Sequence, residues 1–423
     1  MDWRRHLAIL GAAVVALGGL GIGAYLLVDS LRDDDGDSAQ STAPRVVVQE
    51  QQPQAVEDLG FPAFATKNTT RVAGVDPVAD AAGVALAVFP STGGVEGPDA
   101  VTLVDGGDWA SGIAAASLMA PPVGAPILIT GSDTTPDLTA DALEALAPTG
   151  SAATGDHQVF AVGTAAAPSG LGTVRVSGGN PAELAVAIQR LRRTLSGEPP
   201  EHVLLVSSQR PEYAMPAAAW AARSGDPVLF VERDAVPKPT LEALRRLKGL
   251  PVYALGPSSV ISDQALAQAD KVAATVKRIG ADDPVQNAID FARYVDGTFG
   301  WNISDPGHGF EIANDSRPLD AGAASALSAS GDWGPLLLTD DPTQLPDPLR
   351  SYLLDVKPGY VSDPTRAVYN HVWLIGDQDA ISVGVQAQID DLAEVAQVRS
   401  GPGPSPSGRT GPPEREPSRP AKP

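Results

Sequence analysis

The sequence predicts an α/β protein built from several small parallel sheets, each covered by helices, behind one apolar segment at the N-terminus. Three observations predict it. An uncharged run, LAILGAAVVALGGLGIGAYLLV, spans Leu7–Val28. A stretch on the order of a hundred residues long recurs three times further on. Within each copy, short continuous apolar strands bounded by Gly and Pro alternate with helical periods. That is the pattern of parallel strands buried on both faces and joined by right-handed crossovers.

The apolar run is about as long as the ~20 residues that a helix needs to cross a hydrocarbon core. Arg4 and Arg5 precede it, and Asp29, Asp33, Asp34 and Asp35 follow. Positive charge before the span and negative charge after it place residues 1–6 in the cytoplasm and everything beyond Val28 outside, as a single-pass membrane protein. A cleaved signal peptide is the competing reading. The run exceeds a typical signal core, and no small-x-small cleavage site ends it, so an uncleaved anchor is expected.

Residues 29–68 carry an acidic cluster and a Gln-, Pro- and Ala-rich run with little to bury, the composition of a flexible stalk. Residues 399–423, dominated by Pro, Gly, Ser and charge, read as a disordered tail. Between them, 43% hydrophobic content over 423 residues suffices for several cores. With 5% aromatics but 43 Gly, those cores rest on Ala, Val, Leu and Ile. Small side chains let helices approach sheets closely.

A net charge of -21 excludes nucleic acid as a partner, because such binding rests on Lys and Arg neutralising phosphates. With no Cys there is no disulfide, thiolate metal site or Cys nucleophile.

The three copies are expected at 69–174, 175–275 and 276–398. Each opens with a strand that turns into a helix: RVAGVDPVADAAGVALAV from Arg71, RVSGGNPAELAVAIQRL from Arg175 and KRIGADDPVQNAIDFARYV from Lys277. A second strand and a small-residue helix follow: VTLVDGGDWASGIAAASLMA, HVLLVSSQRPEYAMPAAAWAA and GFEIANDSRPLDAGAASALSA. Next comes a buried strand (APILITGSD, DPVLFVERD, GPLLLTDDP) with a helix, and then a strand ending in Gly (HQVFAVG, LPVYALG, NHVWLIG). The unit is β-α-β-α-β-α-β, a small Rossmann-like fold. The third copy departs most, with insertions through Gly300 to Gly309 and Asp355 to Arg366.

This ordered set, above all RVAGVDP, APILIT and VYALGPSSVIS, resembles the cell-wall-binding repeat family, type 2, over roughly Thr70 to Ala396. The resemblance implies three units in a pseudo-threefold arrangement. It also implies a bacterial surface protein that holds an anionic cell-wall polymer, teichoic-acid-like or another anionic glycan, without a covalent bond. The family pattern has an Asp before the small-residue helix; the first copy has Ser111 in that place and the second Met215, and Asp320 alone matches it well.

Backbone N–H groups gathered at the carboxyl ends of parallel strands favour anionic groups. The turns there nominate Asp105, Asp108, Trp109, Ser207, Ser208, Asn314 and Asp315 as ligand-binding residues. Arg71, Arg175 and Arg278, at the opening of each copy, could meet polymer phosphates. Two plain alternatives stand beside these: helix capping for the turn residues, and pairing with a neighbouring domain for the cations. The chain's acidity opposes an anionic polymer unless local basic spots or bridging cations intervene.

No enzyme, cofactor or resident metal is expected. The five His residues lack metal-ligand spacing, and Gly-x-x-x-x-Gly-Lys, Gly-x-Gly-x-x-Gly and Gly-x-Ser-x-Gly are absent. Peptidoglycan hydrolysis is the weaker reading, since the repeats leave no room for a catalytic domain. The main alternative is an extracytoplasmic scaffold that recognises another envelope protein.

Overall fold

The computed structural model describes residues 63–90, 97–329 and 334–398. The expected membrane helix at 7–28, the expected stalk as far as residue 62 and the tail from 399 lie outside them; the last residues assigned to the stalk, 63–68, instead form a short strand and a hydrogen-bonded turn. Among the described residues no helix is long and apolar enough to cross a membrane.

In chain order the first copy contains β1 (Ala63–Ala65), β2 (Thr69–Val72), α1 (Pro77–Val88), β3 (Val101–Asp105), α2 (Trp109–Ala115), β4 (Ile127–Thr130), α3 (Asp137–Leu146) and β5 (Val159–Val162). The second contains β6 (Thr173–Val176), α4 (Pro181–Ser196), β7 (Val203–Ser207), α5 (Pro211–Ala214), α6 (Pro216–Ser224), β8 (Val228–Val231), α7 (Lys238–Arg246), β9 (Pro251–Leu255) and α8 (Asp263–Asp270). The third contains β10 (Thr275–Ile279), α9 (Pro284–Arg293), β11 (Gly309–Asn314), α10 (Leu319–Ala329), β12 (Leu336–Thr339), α11 (Asp347–Asp355), β13 (Gly359–Tyr360), β14 (His371–Ile375), α12 (Val383–Ala393) and β15 (Ala396–Gln397).

Among the described residues three main sheets form, ordered β4-β3-β5-β6, β8-β7-β9-β10 and β12-β11-β14-β2-β1. Their ladders are parallel except for β1 against β2. The strand opening each copy completes the sheet of another: β6 joins the first, β10 the second, and β2 closes the third with Val72 opposite Ile375. The helix that follows packs on the next sheet, α1 on β4, α4 on β8 and α9 on β12. Each lobe is therefore tied to its neighbour by the turn between that strand and that helix.

The local chemistry of this turn is the same each time. Asp76, Asn180 and Asp283 cap their helices, accepting from the N–H groups of Ala79, Glu183 and Gln286, and a Pro follows each cap. Pro at the first helical position has its φ already set and lacks an N–H that would otherwise be orphaned.

The small-residue helices α2, α6 and α10 meet one another between the lobes. Their Ala and Gly content allows backbone to approach backbone: a Cβ built on Gly322 would stand 3.0 Å from the carbonyl carbon of Gly112. The first insertion of the third copy, expected at Gly300 to Gly309, occupies the whole connection 294–308 between α9 and β11 and lies on the second lobe. Its Phe299 ring stacks on Tyr253 with centroids 3.6 Å apart and planes at 2°, and Trp301 meets Trp220 edge-on at 5.5 Å. The second insertion forms β13, which pairs with β15 in a separate two-stranded parallel ribbon.

Candidate functional site

The three opening arginines share one geometry. Each stands on the fourth strand of its sheet and donates through Nη1 to the carbonyl of the Gly that ends the third strand, at 2.8 Å: Arg71 to Gly376, Arg175 to Gly163 and Arg278 to Gly256. They differ in burial. Arg175 is exposed, and Arg278 also pairs with Asp263 at 2.8 Å. Arg71 is 2% exposed and additionally donates to Asp377 O and Gln386 Oε1. Burial lowers the Arg71 guanidinium to about 10, against the opposing pull of Asp377 and Asp80.

The turn residues tie down the carboxyl edges of the sheets. Asp105 accepts from the N–H of Gly107 and from the hydroxyl of Thr164, bridging the crevice between the first and third strands of its lobe. Asn314 does the same in the third lobe, donating to Ala380 O at 3.0 Å while accepting from Ser316. Asp108 caps α2 through Ser111 N. Ser207 accepts from Gln209 N, and Ser208 donates to Val231 O. Trp109 turns inward, its ring set edge-on at 5.9 Å from Phe230 of the second lobe. Asp315 keeps its carboxyl half-buried. Burial first, and then the charges of Asp340, Glu212 and Asp283, push it up to about 6.

The structure adds a cluster that the sequence reading did not assemble, at the junction of the third lobe with the first. Arg317, at the head of α10, pairs with Asp80 of α1 and lies 2.7 Å from Asp320. Both carboxylates are wholly buried. Asp80 also accepts from Gly74 N at 2.9 Å, and a Cβ at Gly74 would collide with that carboxylate at 2.5 Å, so glycine is required there. Both carboxyls are raised above the ordinary range, chiefly by burial, with Asp320 adding to the effect on Asp80. The position equivalent to Asp320, three residues past the capping position, is Ser111 in the first lobe and Tyr213, not the expected Met215, in the second. A signal for the cluster did exist, since Asp80 is a lone acid in an otherwise apolar helix.

At the opposite, amino-terminal end of the second sheet, Asp226 is 2% exposed and takes Nδ1 of His202 at 3.1 Å and Nε1 of Trp220 at 3.0 Å. It also accepts the backbone N–H groups of Glu201 and His202. The other ring nitrogen of His202 is 3.2 Å from Thr298 Oγ1, and its ring lies edge-on to Tyr253 and Phe299. His202 stands directly before β7 and fastens the insertion to the lobe.

Three parallel α/β lobes of one strand order, linked by shared strand-to-helix turns, make a protein built from repeats of one unit. Residues 175–266 match the family Cell wall binding domain 2 (CWB2). Among solved structures the chain is similar to Cwp6 from Clostridium difficile, at 19% identity and a TM-score of 0.62, over 79% of this chain and 51% of that one. It is also similar to Cwp8 from Clostridium difficile, at 18% identity and a TM-score of 0.58, over 77% and 52%. These are likenesses of fold, and the chain spans about half the length of both structures. No curated protein matches it.

Proposed function

We propose that this chain is a membrane-anchored protein of the cell envelope whose three lobes, copies of one unit about a pseudo-threefold axis, hold an anionic cell-wall polymer non-covalently. The observation that carries the reading is the match of residues 175–266 to a cell wall binding family. The common strand order of the other two lobes supports extending it to them. Three weak sites on a repeating polymer act together, because after the first contact the others form at high effective concentration.

Charge distribution bears on the acidity objection. The segment 175–275 carries twelve Lys and Arg against ten Asp and Glu, while 69–174 carries one against eleven and 276–398 seven against nineteen. The middle unit is thus the place where an anion meets least repulsion.

The test is retention of the full chain on purified cell walls. Binding that survives protease treatment of the walls and is lost on polymer extraction supports the proposal. Loss on protease treatment alone would replace the polymer with a protein partner.

A further inference from the structure

A cavity of about 350 Å³ opens at the amino-terminal end of the second sheet, where the first two lobes meet the third copy's insertion. It sits at the far end of the sheet from the turns at the strands' carboxyl ends, and its volume is that of a small-molecule site. Resting on the wall-polymer reading for its ligand class, we propose that it binds one acidic saccharide unit, a sugar ring bearing a carboxylate or phosphate.

Three guanidinium groups line it, from Arg192 and Arg193 on α4 and Arg223 on α6. Arg192 is held in place, Nε donating to Ser117 O at 3.1 Å and Nη2 to Pro121 O at 2.6 Å across the lobe boundary. The Arg223 guanidinium lies over the Trp301 ring, 5.3 Å from its centroid. Arginine forks match carboxylate and phosphate oxygens, and those already positioned lose less freedom on binding.

Of the acids nearby, Asp226 is occupied by four protein donors. Glu198 and Glu201 remain on the wall beside Thr298, whose hydroxyl reaches Glu201 at 3.2 Å. A bare inorganic anion would be repelled by those two carboxylates. A sugar uses both sets, since its acidic group meets the guanidiniums and its ring hydroxyls donate to the glutamates. The cavity depends on the third copy's insertion, which supplies Thr298 and Gly300 to a pocket otherwise made by the first two lobes.

The experiment titrates the full chain with glucuronate, glucose 6-phosphate and glucose by calorimetry, then repeats it with R193Q/R223Q. Both arginines are exposed, so the double variant should fold, and an unchanged melting temperature verifies this. At least one acidic sugar is expected to bind about tenfold or more tighter than glucose, and the variant to lose that margin, as removal of charge-assisted hydrogen bonds requires. Which acidic sugar wins tells a carboxylate from a phosphate ligand. Equal binding of all three sugars, or full affinity in the variant, overturns the inference. A negative titration with intact wall retention removes the cavity and leaves the wall-binding reading. A positive titration without wall retention leaves an acidic-sugar site whose ligand has another source.

Discussion

Arg317 of the third lobe reaches across the junction to Asp80 of the first, and the same guanidinium serves Asp320 on its own helix. One cation thus stands between two wholly buried carboxyls. Arg317→Gln removes it and leaves both acids without their guanidinium partner, and loss of one member of a buried pair costs about 3–5 kcal/mol. Asp80→Asn, which keeps the shape and leaves Arg317 with Asp320, is expected to cost far less. Urea denaturation of the two variants checks the contrast, and equal losses would show that the ion pair does not hold the junction.

The same pair sets a pH dependence. Both carboxyls titrate above the ordinary value of 3.8 in the folded chain. The native state therefore keeps protons that the unfolded chain releases, and the contribution present at low pH is lost as pH rises through the raised values. Stability from this site falls with pH by at most about 1.4 kcal/mol per unit for each retained proton. Asp80→Asn should flatten the decline between about pH 5 and about pH 8, a window above the unfolded carboxylate pKa. A wild-type chain that grows more stable across that window because of Asp80 would contradict the assignment.

Arg71 and Arg175 hold equivalent positions, but burial separates them. Arg71→Ala strips the carbonyls of Gly376 and Asp377 and Gln386 of a buried donor. Unsatisfied buried groups cost about 1–3 kcal/mol each. It also weakens the strand that closes the third sheet, which α12 clamps through Asp390 to the N–H of Asn68 at 2.7 Å. Arg175→Ala exposes its carbonyl to water and should cost under about 1 kcal/mol. Thermal unfolding of the pair decides it.

The β-α-β-α-β-α-β order and the positions of nearly every strand were legible because buried parallel strands appear as continuous apolar runs, and Asp-Pro or Asn-Pro marks a helix start. The lobe to which each strand belongs was not. RVAGVDP reads as one strand-turn-helix, yet its strand lies in the third sheet and its helix on the first, and hydrophobic pattern carries no information about which sheet a strand joins. At the edges, Asp105, Asp108 and Asn314 were legible as turn and cap residues because those bonds are local. The Asp80–Arg317 pair and the cavity arginines were not, since their partners lie on other lobes. The insertion stood out at Gly300 to Gly309 only as extra length, and the docking of the preceding Phe299 on Tyr253 required the fold.

Glycine substitution tests the central helix contact. Gly322→Ala places a Cβ 3.0–3.1 Å from the Gly112 backbone, which cannot yield as a side chain can. Overpacking of that kind costs about 1–3 kcal/mol. Gly384→Ala, in α12, meets nothing nearer than Ser382 Oγ at 3.8 Å and should stabilise by about 0.5–1 kcal/mol through helix propensity. Opposite signs in a melting experiment are expected, and a neutral Gly322→Ala would mean that the helices can separate freely.

Phe299 is the anchor of the third copy's insertion. It is fully buried, stacked on Tyr253 and within 4.9 Å of the Trp220 ring. Truncating a buried Phe costs about 3–5 kcal/mol. Here part of the loss should be local, because Thr298 would lose its hold on His202 and Glu201 and the rim of the cavity would loosen. Phe299→Ala is therefore expected to raise hydrogen exchange in 294–303 before the sheets themselves open. Phe299→Tyr would need a partner for a hydroxyl among aromatic rings and should also destabilise, whereas Phe299→Leu retains the burial and loses the stacking, about 0.5–1.5 kcal/mol. If exchange in 294–303 stays at the wild-type level in Phe299→Ala while the whole chain is destabilised, the insertion is part of the second lobe's core rather than a segment docked on it.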